Sequence, residues 1–573
     1  MKKLTVAGVL LASFIFGACP LLAGTGGEVI FQAMQDELDR NISQLVLEDM
    51  ERPYYLSYTV DDIQEVIVQA TLGTLASSRP NRSRYVTIDL RIGDPTLDNA
   101  NFIDGFYGTG PDYSVVAVDD DYDALRNRIY LATDRAYKSA LKAISKKRAY
   151  LQTRVIKDRP ADFIVQKATT YADRPEEFDL DRKQFEDLAR TASEVFRAYP
   201  SIISSEVKVT AFVANQYFIN STGSRVLRAD RLYVIEVFTG GKTGEGEDLG
   251  NADRLTMTTG EDVPDAAALA AWARQHAEQT VSLLAAKELE EYSGPVILDG
   301  DAAGEFFRQV FVKHITNAPA PTYADDRMAS SADEPKLADK IRRRVLPDFF
   351  DVYDDPTSGQ VDGLAVVGTY PVDDAGGVPQ RIQLVEKGRL TNIPIGTAPT
   401  KKITEPNGHA RGAVSKGVTA KAANVIFVSQ NTASFAKMKQ TMLAMCADYD
   451  LEYGLVITRL EDLNAPRPGF SFPGGLSTNE SALTPPLAGY KVYADGREEL
   501  VRNLEFSNVT VRTLRDILQS GDRQHAYHYL IGDDCEMPAS IVCPAVLVEE
   551  MELKKTEAKT KKPPVLPSPL TEN

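Results

Sequence analysis

The spacing of apolar positions changes along this chain, and each change marks an element. Ile30, Met34, Leu38, Ile42 and Leu45 recur at helical spacing, which predicts a helix with one buried stripe over residues 30–50. Val86, Ile88, Leu90 and Ile92 then alternate with Thr87, Asp89 and Arg91, the period of two that a half-buried strand shows. A long helix is expected over residues 122–154. Val207, Val209, Ala211 and Val213 alternate again. The turn residues Asn220-Ser221-Thr222-Gly223 follow and lead into a strand-like run at 232–238, so this stretch predicts a hairpin. Residues 266–291 read as a helix with Leu269, Trp272, His276, Thr280 and Leu283 on one stripe. On that stripe His276 reads as a core histidine with a hydrogen-bond partner, not as a ligand.

Ser293-Gly294-Pro295 is a turn signal and the expected boundary between two domains, 28–293 and 294–552. Beyond it the pattern predicts a strand at 296–298, a helix at 302–314, strands at 425–428 and 455–457, and a helix at 433–448. The polar segment 317–335 and the Pro-, Gly- and Ser-rich stretch 464–486 read as loops. Residues 553–573 form a Lys/Pro-rich tail of disordered character. Strands and helices mix without βαβ regularity, so the expected fold class is α+β.

Composition removes some functions. The 573 residues carry a net charge of −17, a surface that repels phosphate backbones. The dense basic runs, Lys146-Lys147-Arg148 and Arg342-Arg343-Arg344, lack interleaved aromatic residues, so nucleic acid is not an expected partner. Residues 1–23 read as a signal peptide: Lys2 and Lys3, an apolar stretch to Ala18, then small residues at Ala23 and Gly24. The expectation is an exported protein, periplasmic or secreted. Cys19 follows a loose lipobox, so membrane attachment is expected only if that cysteine is lipidated. Cys535 and Cys543 are candidates for a disulfide, which spacing alone does not decide.

No Gly-x-Ser-x-Gly elbow is present, and Gly240-Gly241-Lys242-Thr243-Gly244 lacks the glycine spacing of a phosphate loop and reads as a hairpin turn. Several phrases in the second half are instructive as an ordered set. They are Gly294-Pro295-Val296 leading through Asp299-Gly300-Asp301-Ala302-Ala303 into a helix, then Asp354-Asp355-Pro356-Thr357. Asp373-Asp374-Ala375-Gly376-Gly377-Val378-Pro379, Leu384-Val385-Glu386-Lys387-Gly388, Asn407-Gly408-His409-Ala410-Arg411 and Cys543-Pro544-Ala545-Val546 follow. In that order they resemble the TldD/PmbA family of metallopeptidase-related proteins, across roughly residues 290–552.

The resemblance implies a two-domain architecture of mixed and antiparallel sheets with packed helices. It also implies a helix bearing His-Glu-x-x-x-His with a downstream cysteine, a donor set suited to zinc and its activated water. In this sequence the matching positions are Arg308, Gln309 and Lys313. Arginine does not deprotonate to ligate zinc, and glutamine accepts no proton as a general base. The expectation is therefore a homologue without zinc catalysis and without a cofactor. It would be a partner subunit, in a homo- or hetero-oligomer with a TldD/PmbA-like paralogue, that helps hold extended peptides. Asn407, Gly408, His409 and Arg411 are the candidate binding residues. Glu305 and Arg308 are expected to pair at i, i+3, with two readings open: a positive side chain partly replaces the metal as the local cation and keeps the old site folded, or the pair belongs to a solvated charged face; His314 falls on the apolar side.

The alternative is an active zinc peptidase with relocated ligands His525, His528 and Cys535, with Asp522 nearby. Strand character around Ala526-Tyr527-His528-Tyr529 would place the two histidines on opposite faces.

Overall fold

The computed structural model describes residues 26–104, 111–154, 158–177, 181–325, 335–412, 417–461, 483–531, 537–556 and 569–571. The signal-peptide stretch with Cys19, most of the 464–486 loop, Cys535 and most of the tail lie outside them.

The fold is α+β, as the patterning predicts, and is organised on two large sheets. The first is built on five long antiparallel strands in the order β2-β1-β3-β4-β5. They are β1 (Pro53–Thr71), β2 (Thr74–Asp94), β3 (Ile202–Asn220), β4 (Arg225–Lys242) and β5 (Asp248–Met257). Helices cover one face only. Helices α1 (Gly26–Gln44) and α2 (Tyr122–Thr153) pack on Leu56, Tyr58, Val86 and Ile88. Helices α3 (Arg182–Glu194) and α4 (Ala266–Ala285) pack on Val66, Val68, Val209 and Val237. Along β1 the even-numbered residues serve these cores, so odd-numbered Asp61 and Ile63 point to the helix-free face.

The second sheet is mixed and has 13 strands among the described residues. Its centre is β6 (Glu291–Leu298), parallel to β9 (Tyr453–Leu460) and antiparallel to β13 (Met537–Lys555). Strand β7 (Phe350–Asp354) lies beside β8 (Asn424–Ser429), which runs parallel to β13. On the other side β10 (Pro486–Tyr493) and β11 (Glu498–Arg502) extend the sheet, and β12 (Ile517–Ile531) pairs antiparallel with β13. Both faces of the centre are covered. Val296, Leu298, Leu455 and Ile457 face α5 (Asp301–Val310), whereas Ile297 and Val456 face α6 (Phe435–Asp448). Burial on both faces explains why the 296–298 run is continuously apolar.

Four local expectations change. Ser293-Gly294-Pro295 is not a turn: it lies inside β6, where the pairing with β13 shifts register between Gly294 and Val296. A proline has no N–H for a ladder, and such an irregularity is where a sheet tolerates it. Helix α4 ends at Ala285, and Lys287–Glu288 already pair with β11. Lys554 and Lys555 belong to β13 rather than to the tail, held by ion pairs with Glu505 and with Glu288 and Glu290. Of the glycine run, Gly240, Gly241 and Lys242 finish β4, and the turn begins at Thr243. Among the described residues, no helix is long and apolar enough to cross a membrane.

Candidate cleft and the helix at its edge

Between the helix-free face of the first sheet and the second sheet lies a cleft of about 1330 Å³. Asp61, Arg228 and Thr256 line it from the first sheet; Asp374, Arg411, Arg459 and His528 line it from the second half. The first residues of α5 reach its edge through Asp301 and Glu305.

Helix α5 is placed by close packing. Phe306, Phe307 and Phe311 are fully buried, with Phe307 stacked on Phe427 at 3.9 Å between ring centroids. Gly304 lets the helix lie against β12, because a Cβ there would sit 2.4 Å from Tyr527 Cβ. The α-helix stops at Val310. Phe311 is the C-cap, its N–H donating to the Phe307 carbonyl at 3.0 Å, and Val312–His314 form a separate 3₁₀ turn. The single helix expected over 302–314 is thus two pieces, and exposed Lys313 does not continue the face that carries Arg308 and Gln309. His314 is buried.

The expected ion pair is present, but not on a solvated face. Glu305 and Gln309 are both buried. Arg308 Nε donates to Glu305 Oε2 at 2.6 Å, and its Nη2 donates to Glu305 Oε1. Gln309 Nε2 donates to the same Oε1 at 2.6 Å and to Thr484 Oγ1 at 2.9 Å, and Thr484 N–H donates to Gln309 Oε1 at 3.0 Å. Burial alone would push the Arg308 guanidinium down, but the Glu305 charge beside it outweighs that and holds it above its ordinary range. Arg308 also lies 5.7 Å from the Tyr529 ring centroid. The residue types do not fit a zinc ion: a fixed guanidinium and an amide with both ends hydrogen-bonded stand where imidazole and carboxylate would be needed.

His525 and His528 lie on β12 and, three residues apart, face opposite sides. His525 Nε2 is 2.8 Å from Asp301 Oδ1, whereas His528 Nδ1 is 2.9 Å from Ser540 Oγ. The hydrogen bond to Asp301 raises the His525 pKa, and burial lowers that of His528. The two rings do not converge on one coordination point. Among the described residues, no group of three or more His, Cys, Asp or Glu is arranged to hold a metal ion. Cys543 is a buried free thiol, and burial pushes it well above its ordinary range.

The four candidate binding residues separate in the structure. Asn407 and His409 are buried, and Gly408, at φ +73°, packs against the backbone of Val378 and Pro379. His409 Nδ1 is 2.9 Å from Asn407 O, and its Nε2 is 3.3 Å from Asp354 Oδ2, both side chains fully buried. Asp354 also accepts from the backbone N–H groups of Ala423 and Asn424, so this cluster clasps loops together beneath the surface. Of the four, only Arg411 lines the cleft.

Sequence reading missed most of the cleft. Arg228 donates to Asp230 at 2.8 Å and lies 2.7 Å from Asp374, joining the first sheet to the 373–377 loop. Burial would raise Asp374, but Arg228 and Arg411 hold its carboxyl below the usual range. Arg459 reaches from β9 to Asn251 Oδ1 at 3.1 Å, to Gln279 Oε1 at 3.3 Å and to the Ala252 carbonyl. Asp61 shares its strand with Asp62, Gln64 and Glu65, so no local pattern sets it apart in the sequence.

Residues 291–555 match the family model described as the PmbA/TldA metallopeptidase C-terminal domain. Three solved structures share the fold over nearly their whole length. A putative modulator of a DNA gyrase from Thermotoga maritima is 15% identical, with TM-score 0.57, covering 92% of this chain and 100% of that one. TldE from Thermococcus kodakarensis is 11% identical, with TM-score 0.57, over 91% and 99% of the two chains. A putative modulator of DNA gyrase from Bacteroides thetaiotaomicron is 10% identical, with TM-score 0.57, over 92% and 98%. No curated protein matches the chain. Residues 291–555 are thus similar to a metallopeptidase C-terminal domain, and the α+β fold of the chain is shared with these solved structures.

Proposed function

We propose that this chain is an exported, non-catalytic homologue of the PmbA/TldA metallopeptidases that binds extended polypeptide in its cleft and acts as a subunit beside a catalytic paralogue. One observation carries the reading: on α5, Glu305 is saturated by Arg308 and Gln309, the residues at the resemblance's histidine and glutamate positions. A side chain that must bind zinc or activate water needs free lone pairs facing the substrate. Here the donors close on one another, and Gln309 further ties the helix to Thr484 at the start of β10. What remains is a cleft of about 1330 Å³ lined from both sheets.

The test is metal analysis of the purified chain, with peptide cleavage assayed alone and with a similar chain that retains His-Glu-x-x-x-His. The expected result is no stoichiometric zinc, no chelator-sensitive cleavage by this chain alone, and measurable peptide binding. Stoichiometric zinc with chelator-sensitive cleavage by this chain alone would overturn the proposal and favour the set His525, His528 and Cys535.

A further inference from the structure

The charges of the cleft are divided unevenly between groups already paired and groups left open. Nine carboxylate residues and five arginines line it. All five arginines are in ion pairs within the protein: Arg228 with Asp230 and Asp374, Arg231 with Glu176, Arg254 with Glu236, Arg411 with Asp374, and Arg459 with Asp253. The carboxylates are in excess, and Asp61 and Asp262 have no lysine or arginine within ion-pair distance among the described residues. Asp61 is the more telling of the two. It is 7% exposed and borders the cleft, and one carboxylate oxygen, Oδ1, accepts from Gln216 Nε2 at 3.0 Å. No described residue donates to the other oxygen. A buried carboxyl with an open lone-pair side is costly unless a cation or donor completes it.

Resting on the peptide-binding reading above, we propose that the cleft selects lysine- or arginine-rich stretches of extended polypeptide, with Asp61 seating one basic side chain. An acidic side chain would find no uncommitted guanidinium and would face excess negative charge; a basic one completes Asp61. Trp272 and Tyr527 also line the cleft and add apolar surface to it.

The test measures binding by the purified full chain of three labelled peptides of equal length, carrying lysine, glutamine or glutamate at the same positions of a Gly/Ser framework. At low salt the lysine peptide should bind about tenfold tighter than the glutamine peptide, and the glutamate peptide weakest, with the preference shrinking as salt rises. Asp61→Asn should remove most of the lysine preference over glutamine, while Asp61→Glu should retain part of it; thermal melts establish that both variants fold. Equal affinity for all three peptides overturns the charge selection and leaves peptide binding standing. A lysine preference that survives Asp61→Asn overturns the assignment of the seat. Binding of none of the three defeats the peptide-binding reading itself.

Discussion

The side-chain amide of Gln309 lies 2.6 Å from Glu305 Oε1, one helical turn away; both residues are buried, and Glu305 lines the cleft. With Arg308 on the same carboxylate, this contact makes a closed polar network on the helix. It also fixes what a substitution there does. Glu305→Ala leaves a partly buried guanidinium and a buried amide short of their acceptor, and should cost about 1–3 kcal/mol in urea unfolding. An unchanged unfolding midpoint would show that the network is incidental.

Gly304 tests the packing of α5 independently of charge. With Tyr527 Cβ only 2.4 Å from where a new Cβ would stand, Gly304→Ala forces the helix off β12. Overpacking of this kind should cost about 1–3 kcal/mol. The paired variant Gly304→Ala with Tyr527→Gly should recover part of the loss, and chemical denaturation of the two variants measures it.

His276 provides a pH test. Burial, with Arg459 adding to it, lowers its pKa to about 3, and its Nε2 lies 3.0 Å from Thr239 Oγ1. The folded state therefore binds its proton less readily than the unfolded chain, whose histidines titrate near about 6.5. This contribution to stability is complete above that value and is lost as pH falls from about 6.5 towards the folded pKa, with a slope of up to about 1.4 kcal/mol per pH unit. Unfolding curves across that window should show a shallower acid slope for His276→Gln than for the unaltered protein.

Asp61 has the opposite sign. Burial raises its carboxyl to about 6 against the hydrogen bond from Gln216, so its ionisation at neutral pH opposes folding. The penalty is absent below the unfolded value near about 3.9 and grows as pH rises through that value, reaching its full size above the folded pKa. Asp61→Asn should accordingly raise the melting temperature at pH 7.5 and change it little at pH 4, as calorimetry would read.

Arg459 fixes the two walls of the cleft relative to each other through Asn251, Gln279 and the Ala252 carbonyl. Arg459→Ala should increase hydrogen exchange in β5 and in the C-terminal half of α4 while leaving α6 protected. Uniform exchange across all three would argue against a cross-sheet latch.

The chain's local chemistry was legible from sequence. The alternation at Val86–Ile92 and Val207–Val213 and the helical stripe of α4 appear in the structure as read, because a period imposed by one buried face is a local property. That Arg308, Gln309 and Lys313 offer neither imidazole nor carboxylate was equally plain, since what a guanidinium, an amide or an ammonium can do does not depend on the fold. Tertiary structure alone decided where those groups point. Glu305 is buried because β12 and Thr484, far along the chain, close over the helix; α5 stops at Val310 because Phe311 and Val312 turn into the core; His409 faces Asp354 and not a ligand. The cleft exists only where residues near 61, 228, 374 and 459 meet. No local period records that meeting, because burial of one sheet face against distant loops is a long-range event that each segment's own pattern leaves open.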